Sequence, residues 1–320
     1  MKAAVYYETG DPSVFKYEEV PDPECGPWDI VIEVKAISIE GGDVLNRAGG
    51  PMHSAPHIVG YDAAGVICQV GEKVTNRQVG QRVTTLNQFG SHAEKRALNS
   101  LTSWIIPNNV SFEEAACVPV TFGTAHDCLF EFGHLQAGET VLVQAGAGGV
   151  GLAAVQLAKH AGARVLTTAS SDHRLERLKE YGMDKGINYV EKDLVAEVKR
   201  LTNDLGVDLV VDGVGGEVLR QSIEAARHRG RIITFGQAGR SFRKIDISGL
   251  SMGDKTLTGV FLGAEIATER VQKMIDKILN DIASGSLRVP LDHTFPLAQA
   301  AEAHAYIESR QAVGRVLLIP

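Results

Sequence analysis

Between residues 140 and 261, short apolar runs alternate with stretches of helical periodicity, and this restricts that half of the chain to very few architectures. Residues 140–145 read as a buried strand and 149–160 as a helix. Residues 164–169 are a strand and 172–181 a helix closed by Gly182. Further strands are read at 187–189, 208–212, 231–236 and 256–261, with helices at 193–201 and 217–226. Consecutive strands that each need a helical crossover run parallel, because antiparallel neighbours are joined by short turns instead. The spacing therefore predicts a doubly wound parallel sheet.

Residues 1–115 have another texture. VIEVKAISI (31–39), IVGYDAAGVICQVG (58–71) and QRVTTL (81–86) are β-branched runs punctuated by Gly and Pro, with one short helical segment at 42–48. A partly closed antiparallel barrel is the expected form. SFEEAACV then reads as a helix start, with Ser111 as N-cap and Glu114 as its capping-box partner. The tail carries one long helical stretch, 268–284, and a strand-like finish, GRVLLIP.

A chain of 320 residues exceeds one ordinary core and implies two domains. Its 32 basic and 39 acidic residues give a net charge of −7, which argues against general nucleic-acid binding. Cys25, Cys68, Cys117 and Cys128 include no CxxC pair, so reduced thiols are expected rather than a disulfide framework. No apolar run approaches the ~20 residues that span a bilayer, and MKAAVYYETGD lacks the apolar stretch of a signal peptide. The expectation is a cytoplasmic protein with neither membrane nor nucleic-acid partners.

The sharpest local signal is TVLVQAGAGGVGLAAVQLAKHAGARV. Gly146, Gly148 and Gly151 satisfy G-x-G-x-x-G between a strand and a helix, the context that a dinucleotide site requires. Gly146 permits the turn, Gly148 lets the backbone approach a pyrophosphate, and Gly151 lets the helix pack close. The helix start at Gly149 and Val150 offers N–H groups to the phosphates. Gly213 and Gly236, at the ends of later strands, join the cofactor set. Versions that bind NAD carry Asp or Glu at the tip of the second strand, on the ribose hydroxyl. Here that tip is Ala169, followed by Ser170, Ser171 and Arg174. Donors and positive charge suit a 2′-phosphate, so the cofactor expected is NADP(H). Asp172 is read as the cap of the following helix.

The motifs MKAAVYYETGDPSVF, PHIVGYDAAGVICQVGEKV, PVTFGTAHDCL, GVDLVVDGVGG and ESRQAVGRVLLIP, in this order and spacing, resemble the medium-chain dehydrogenase/reductase family, in its zinc-independent quinone oxidoreductase and zeta-crystallin branch. The resemblance covers essentially the whole chain. It implies an α/β protein with a GroES-like β-rich catalytic domain (1–118 and 263–320) and a Rossmann domain (119–262). It also implies an interdomain cleft for nicotinamide and a small-molecule substrate, and a homodimer joined through Rossmann sheet edges. By the same resemblance Tyr189 joins Ser170, Ser171 and Arg174 around the 2′-phosphate, and Thr124 lies beside the nicotinamide.

Zinc-dependent members of that superfamily use a Cys, a His and a third Cys or Asp, leaving one position open for substrate. The resemblance places Glu40 at the first position, Tyr61 at the second and Cys117 near the third. A phenol is a poor zinc ligand and the four-Cys structural lobe is missing, so no metal is expected, although His53, His57 and His92 lie near this region. Cys117 reads as a buried core residue. The catalytic candidates are Tyr61, Glu40 and Thr124. Asp43 and Arg47, four residues apart, suit a helical ion pair or a role in the same polar cluster. The expected activity is NADPH-dependent reduction of a quinone or α,β-unsaturated carbonyl. Alternatives are an enoyl-thioester reductase, a zinc-type alcohol dehydrogenase and a non-catalytic NADPH-binding protein.

Overall fold

The computed structural model describes residues 1–241 and 244–320. It divides into two compact units, Met1–Gly123 with Gly263–Pro320, and Thr124–Leu262.

The first unit is built from β1 (Lys2–Val5), β2 (Lys16–Glu19), β3 (Asp29–Ser38), α1 (Gly41–Gly49), β4 (Asp62–Val70), β5 (Arg82–Leu86), β6 (Lys95–Asn99), β7 (Ser103–Ile105), α2 (Phe112–Ala116) and the start of α3 (Val118–His126). Its main sheet runs in the order β14-β15-β3-β4-β5-β7, with β6 also pairing β3. The closing strands, β14 (Leu291–Pro296) and β15 (Arg315–Ile319), come from the far end of the chain. β15 pairs antiparallel with β3, setting Leu317 opposite Ser38. Ile30, Ile32 and Val34 of β3 pack with Ile67, Val83, Val316 and Leu318 in one apolar core. α2 has the capping box expected: Ser111 accepts from the Glu114 N–H, and Glu114 accepts from the Ser111 N–H. The strand read at 58–71 begins only at Asp62. Gly60 has φ of +115°, which breaks the extended path just before it.

The second unit holds β8 (Thr140–Val143), α4 (Gly149–His160), β9 (Arg164–Ala169), α5 (Asp172–Leu178), β10 (Lys185–Asn188), α6 (Leu194–Leu201), β11 (Val207–Asp212), α7 (Gly216–Ala225), β12 (Ala226–Thr234) and β13 (Thr256–Gly259). All six strands are parallel, in the order β10-β9-β8-β11-β12-β13. By chain order this is 3-2-1-4-5-6, the doubly wound arrangement that the alternation predicts, with its switch point at β8. α4 is apolar almost all round and buried from Gly151 to Ala158, as a helix laid across a sheet should be. β13 is an edge strand, followed by the exposed Phe261.

Two helices complete the chain: α8 (Glu269–Ala283), capped by Thr268, and α9 (Ala300–Glu308). Among the described residues no helix is long and apolar enough to cross a membrane.

Candidate functional site

β8 ends at Val143, and Ala145, at φ +53°, turns the chain into the glycine loop. The three motif glycines differ in what they avoid. A Cβ on Gly146 would stand 1.9 Å from Thr167 Oγ1, on the neighbouring strand. A Cβ on Gly151 would stand 2.4 Å from the Ala145 carbonyl oxygen. Both are glycine because protein already fills the space. A Cβ on Gly148 would meet only the Ala145 oxygen, at 3.4 Å. Packing does not demand glycine there, so the bare backbone of Gly148 is available to a ligand. Gly148 is also the N-cap of α4, where Gly149 and Val150 open a first turn with no side-chain cap.

Past β11 and β12, Gly213 and Gly236 hold two loops together. A Cβ on Gly213 would enter the Phe235 ring at 2.4 Å, and one on Gly236 would come within 3.1 Å of the Gly213 oxygen. Asp212 fixes the first loop by accepting from Val214 N at 2.8 Å and Gly215 N at 2.9 Å.

The tips of β9 and β10 lie side by side, with Asn188 opposite Ala169. Tyr189 N donates to the Ala169 oxygen at 3.2 Å, and its side chain is exposed. Arg174 Nη1 donates to Ser170 Oγ at 3.0 Å. The structure thus brings Ser170, Ser171, Arg174 and Tyr189 to one end of the sheet. One assignment is corrected. The cap of α5 is Ser171, which accepts from Arg174 N. Asp172 is the first helical residue, and its carboxylate accepts from Asn188 Nδ2 at 3.3 Å. An N-cap needs an extended backbone, and Ser171 has it at φ −158°, ψ 154°. Thr124 is buried in α3.

The polar cluster of the first unit centres on a residue that sequence reading passed over. Glu40 is buried as the N-cap of α1, and its carboxylate accepts from Ser38 Oγ at 2.9 Å and from Arg315 Nη2. Arg315 also donates through Nε to Ser38 Oγ at 3.2 Å and through Nη2 to the Ile39 oxygen at 2.7 Å. Burial raises the Glu40 pKa, while Arg315 and Ser38 pull against it. Cys117 is buried beside Arg315 and Ser38, and burial pushes its thiol up to about 11. Its Sγ donates to the Glu113 oxygen at 3.2 Å.

Tyr61 is half-buried. Its hydroxyl oxygen accepts from Asn46 Nδ2 at 2.9 Å, and its ring lies so close to α1 that a Cβ on Gly42 would stand 2.3 Å from Cε2. Burial, then the Asp43 charge, raises its pKa above the usual 10. Asp43 is buried, accepts from Glu40 N at 2.8 Å, and is pushed by burial up to about 8. The Asp43–Arg47 ion pair is not formed. Arg47 turns the other way, donating to the Gly10 oxygen at 2.9 Å and pairing with Glu308 at 2.9 Å, so Asp43 is left to cap the first turn of α1. Asp62 accepts from Val120 N at 3.0 Å. Of the histidines, His92 Nε2 lies 3.0 Å from His304 Nε2, and His57 stacks edge-on against Tyr6.

An "Alcohol dehydrogenase GroES-like domain" model matches residues 26–126, and a "Zinc-binding dehydrogenase" model matches residues 149–280. The chain is 31% identical to a quinone oxidoreductase of Pseudomonas aeruginosa, with 97% of each chain covered. It is 31% identical to a 2-haloacrylate reductase of Burkholderia sp, over 99% of this chain and 98% of that one. A crystal structure of Escherichia coli quinone oxidoreductase complexed with NADPH matches with a TM-score of 0.96 at 30% identity, covering 100% of both chains. The chain belongs to the quinone oxidoreductase branch of the medium-chain dehydrogenase/reductases.

Within this quinone oxidoreductase fold, Ser38, Asn46 and Arg315 are the members of the polar cluster that sequence reading missed. Arg315 stands in the quoted GRVLLIP run, where it read only as the start of a strand. A charged residue opening an otherwise apolar terminal strand was the one available signal.

Proposed function

We propose that this oxidoreductase uses NADPH to reduce a quinone or an α,β-unsaturated carbonyl, and that it does so without catalytic zinc. The observation that carries the reading is the tip of β9. It bears no carboxylate, gathers Ser170, Ser171, Arg174 and Tyr189 with β10, and the next acid along the chain, Asp172, is engaged by Asn188. Hydroxyls and a guanidinium suit a 2′-phosphate, since Arg presents a fixed fork of donors to it. Gly148 leaves its backbone open for the pyrophosphate. NADPH, when bound, supplies the hydride.

Hydride addition to a conjugated acceptor leaves negative charge on its carbonyl oxygen. Tyr61 is the residue suited to meet it. Its oxygen accepts from Asn46, so the phenolic hydrogen is free to be donated to that oxygen. Water supplies the proton that completes the reduction. Thr124 serves at the nicotinamide, and Glu40 acts as the cap that holds α1. The 2-haloacrylate reductase among the relatives is named for a conjugated acid, which supports an acceptor of this electronic type.

Zinc requires deprotonated nitrogen, sulfur or oxygen ligands around one open position. The donor set does not suit it. Glu40 is already held by a guanidinium, and the second position offers a phenol, a poor zinc ligand, whose oxygen accepts from Asn46.

NADPH should bind at least ~10-fold more tightly than NADH, a difference of about 1.4 kcal/mol. Arg174→Ala should remove most of that preference. Titration by fluorescence checks both, and equal affinities in the wild type would defeat the cofactor assignment. A panel of quinones, enals and enoyl-thioesters, followed by NADPH absorbance, tests the acceptor class. We also place a homodimer contact along the β13 edge, whose strand has no outer neighbour among the described residues and is followed by exposed Phe261. Sedimentation should give twice the chain mass, and Phe261→Asp should lower it. A monomeric wild type would remove the dimer from the account.

A further inference from the structure

In zinc-containing members of the superfamily a metal ion supplies positive charge among the three ligand positions. By the family resemblance those positions fall at Glu40, at Tyr61 and near Cys117, and a guanidinium interacts with both Glu40 and Cys117. Arg315 spans Ser38 Oγ, the Ile39 oxygen and the Glu40 carboxylate, and it lies beside Cys117. Its backbone is equally fixed. Arg315 N donates to the Pro290 oxygen at 2.8 Å, and Ile39 N donates to the Val316 oxygen at 3.1 Å. The start of the last strand is thereby bolted to the joint between β3 and α1.

That joint leads directly to Tyr61. Glu40 is the cap from which α1 starts, Gly42 of α1 touches the Tyr61 ring, and Asn46 of α1 donates to its hydroxyl. A shift of α1 therefore moves both supports of the phenol together.

We infer that Arg315 supplies from within the chain the positive charge that a metal supplies at this place in zinc-containing members, closing the place to metal and positioning Tyr61 through Glu40 and α1. A divalent cation at Glu40 would meet a fixed like charge at contact distance. Arg315 is a positioning residue, since it reaches Tyr61 only through α1. That half of the inference rests on Tyr61 being the donor, and the metal half does not.

The test uses the full-length wild type, Arg315→Met, Arg315→Lys, Tyr61→Phe and the Arg315→Met/Tyr61→Phe double variant. In the first arm each protein is titrated with Co²⁺. The wild type should show no cobalt–thiolate charge-transfer absorption. Arg315→Met should develop a saturable band that is lost when Cys117→Ser is added. A stoichiometric band in the wild type, or none in folded Arg315→Met, overturns exclusion by the guanidinium. In the second arm, Arg315→Met should lower kcat about 10-fold or more with NADPH affinity unchanged, and Arg315→Lys should recover part of the loss. In the Tyr61→Phe background the same change should cost less than about 2-fold, because two residues acting as one unit are not additive. Full additivity overturns the positioning role. If Tyr61→Phe itself keeps wild-type kcat, the donor reading falls together with the positioning half, and the Co²⁺ arm still decides the other. Should Arg315→Met fail to fold with Glu40 left as an unpaired buried charge, Glu40→Gln/Arg315→Met removes both charges and replaces it in the kinetic arm.

Discussion

Gly148→Ala is expected to fold and melt like the wild type and to bind NADPH at least ~10-fold more weakly. The two halves of that result have different causes. Gly148 has φ −83° and ψ 169°, a backbone that alanine adopts without strain. Its new Cβ would meet only the Ala145 oxygen, at an ordinary 3.4 Å. Nothing in the protein resists the methyl group, so the melting temperature should stay put. If the pyrophosphate lies against this turn as proposed, the methyl group intrudes on it and affinity should suffer. Gly151→Ala should behave in the opposite way. Its Cβ would lie 2.4 Å from the Ala145 oxygen and 2.8 Å from Gly146 Cα, and backbone atoms cannot swing aside. That variant should lose stability by about 1–3 kcal/mol, the usual range for overpacking. Thermal melts and NADPH titrations of the pair check both. A Gly148→Ala protein with undiminished affinity would mean that the pyrophosphate does not approach this turn.

Tyr61→Phe is expected to lower kcat by about 10- to 1000-fold, the range seen when one oxyanion donor is removed, with NADPH affinity unchanged. The ring stays and keeps its contact with Gly42, so the packing of α1 should survive. The lost group is the O–H that we propose donates to the carbonyl oxygen. Its bond strengthens as charge builds there, which lowers the barrier instead of merely tightening binding. The pH profile gives a second reading. Burial and Asp43 raise the Tyr61 pKa above that of an ordinary phenol, so any alkaline fall in kcat from loss of this donor should be centred above pH 10. A Phe variant with wild-type kcat and a lower melting temperature would reduce Tyr61 to a packing residue.

What the sequence revealed, and what it hid, follows from the range of each interaction. α4 and β9 have the bounds that sequence reading assigns them, because a glycine loop, an apolar helix and a β-branched run are local signals. The Ser111–Glu114 capping box is likewise contained in four residues. α9 escaped notice because alanine supplies much of its buried face and His304 breaks the apolar pattern. β14 escaped because its residues are mostly exposed or half-buried and lack a core face. The cap of α5 was shifted by one residue because Ser171 and Asp172 are both good caps, and only the backbone angles separate them. Arg315 and Glu40 lie 275 residues apart, and no spacing rule joins them. Tyr61 and Glu40 were visible as departures from a ligand pattern. The guanidinium that accounts for Glu40 required the fold.

The claim on which the rest depends is that this chain moves a hydride from NADPH to a conjugated acceptor with no metal. The measurement that tests it most directly is the rate of NADPH absorbance loss with a simple quinone, using enzyme stripped by a strong chelator and verified to hold well under one zinc per chain. The rate should equal that of untreated enzyme and stay unchanged when zinc is added back. An inert stripped enzyme that zinc restores would contradict it.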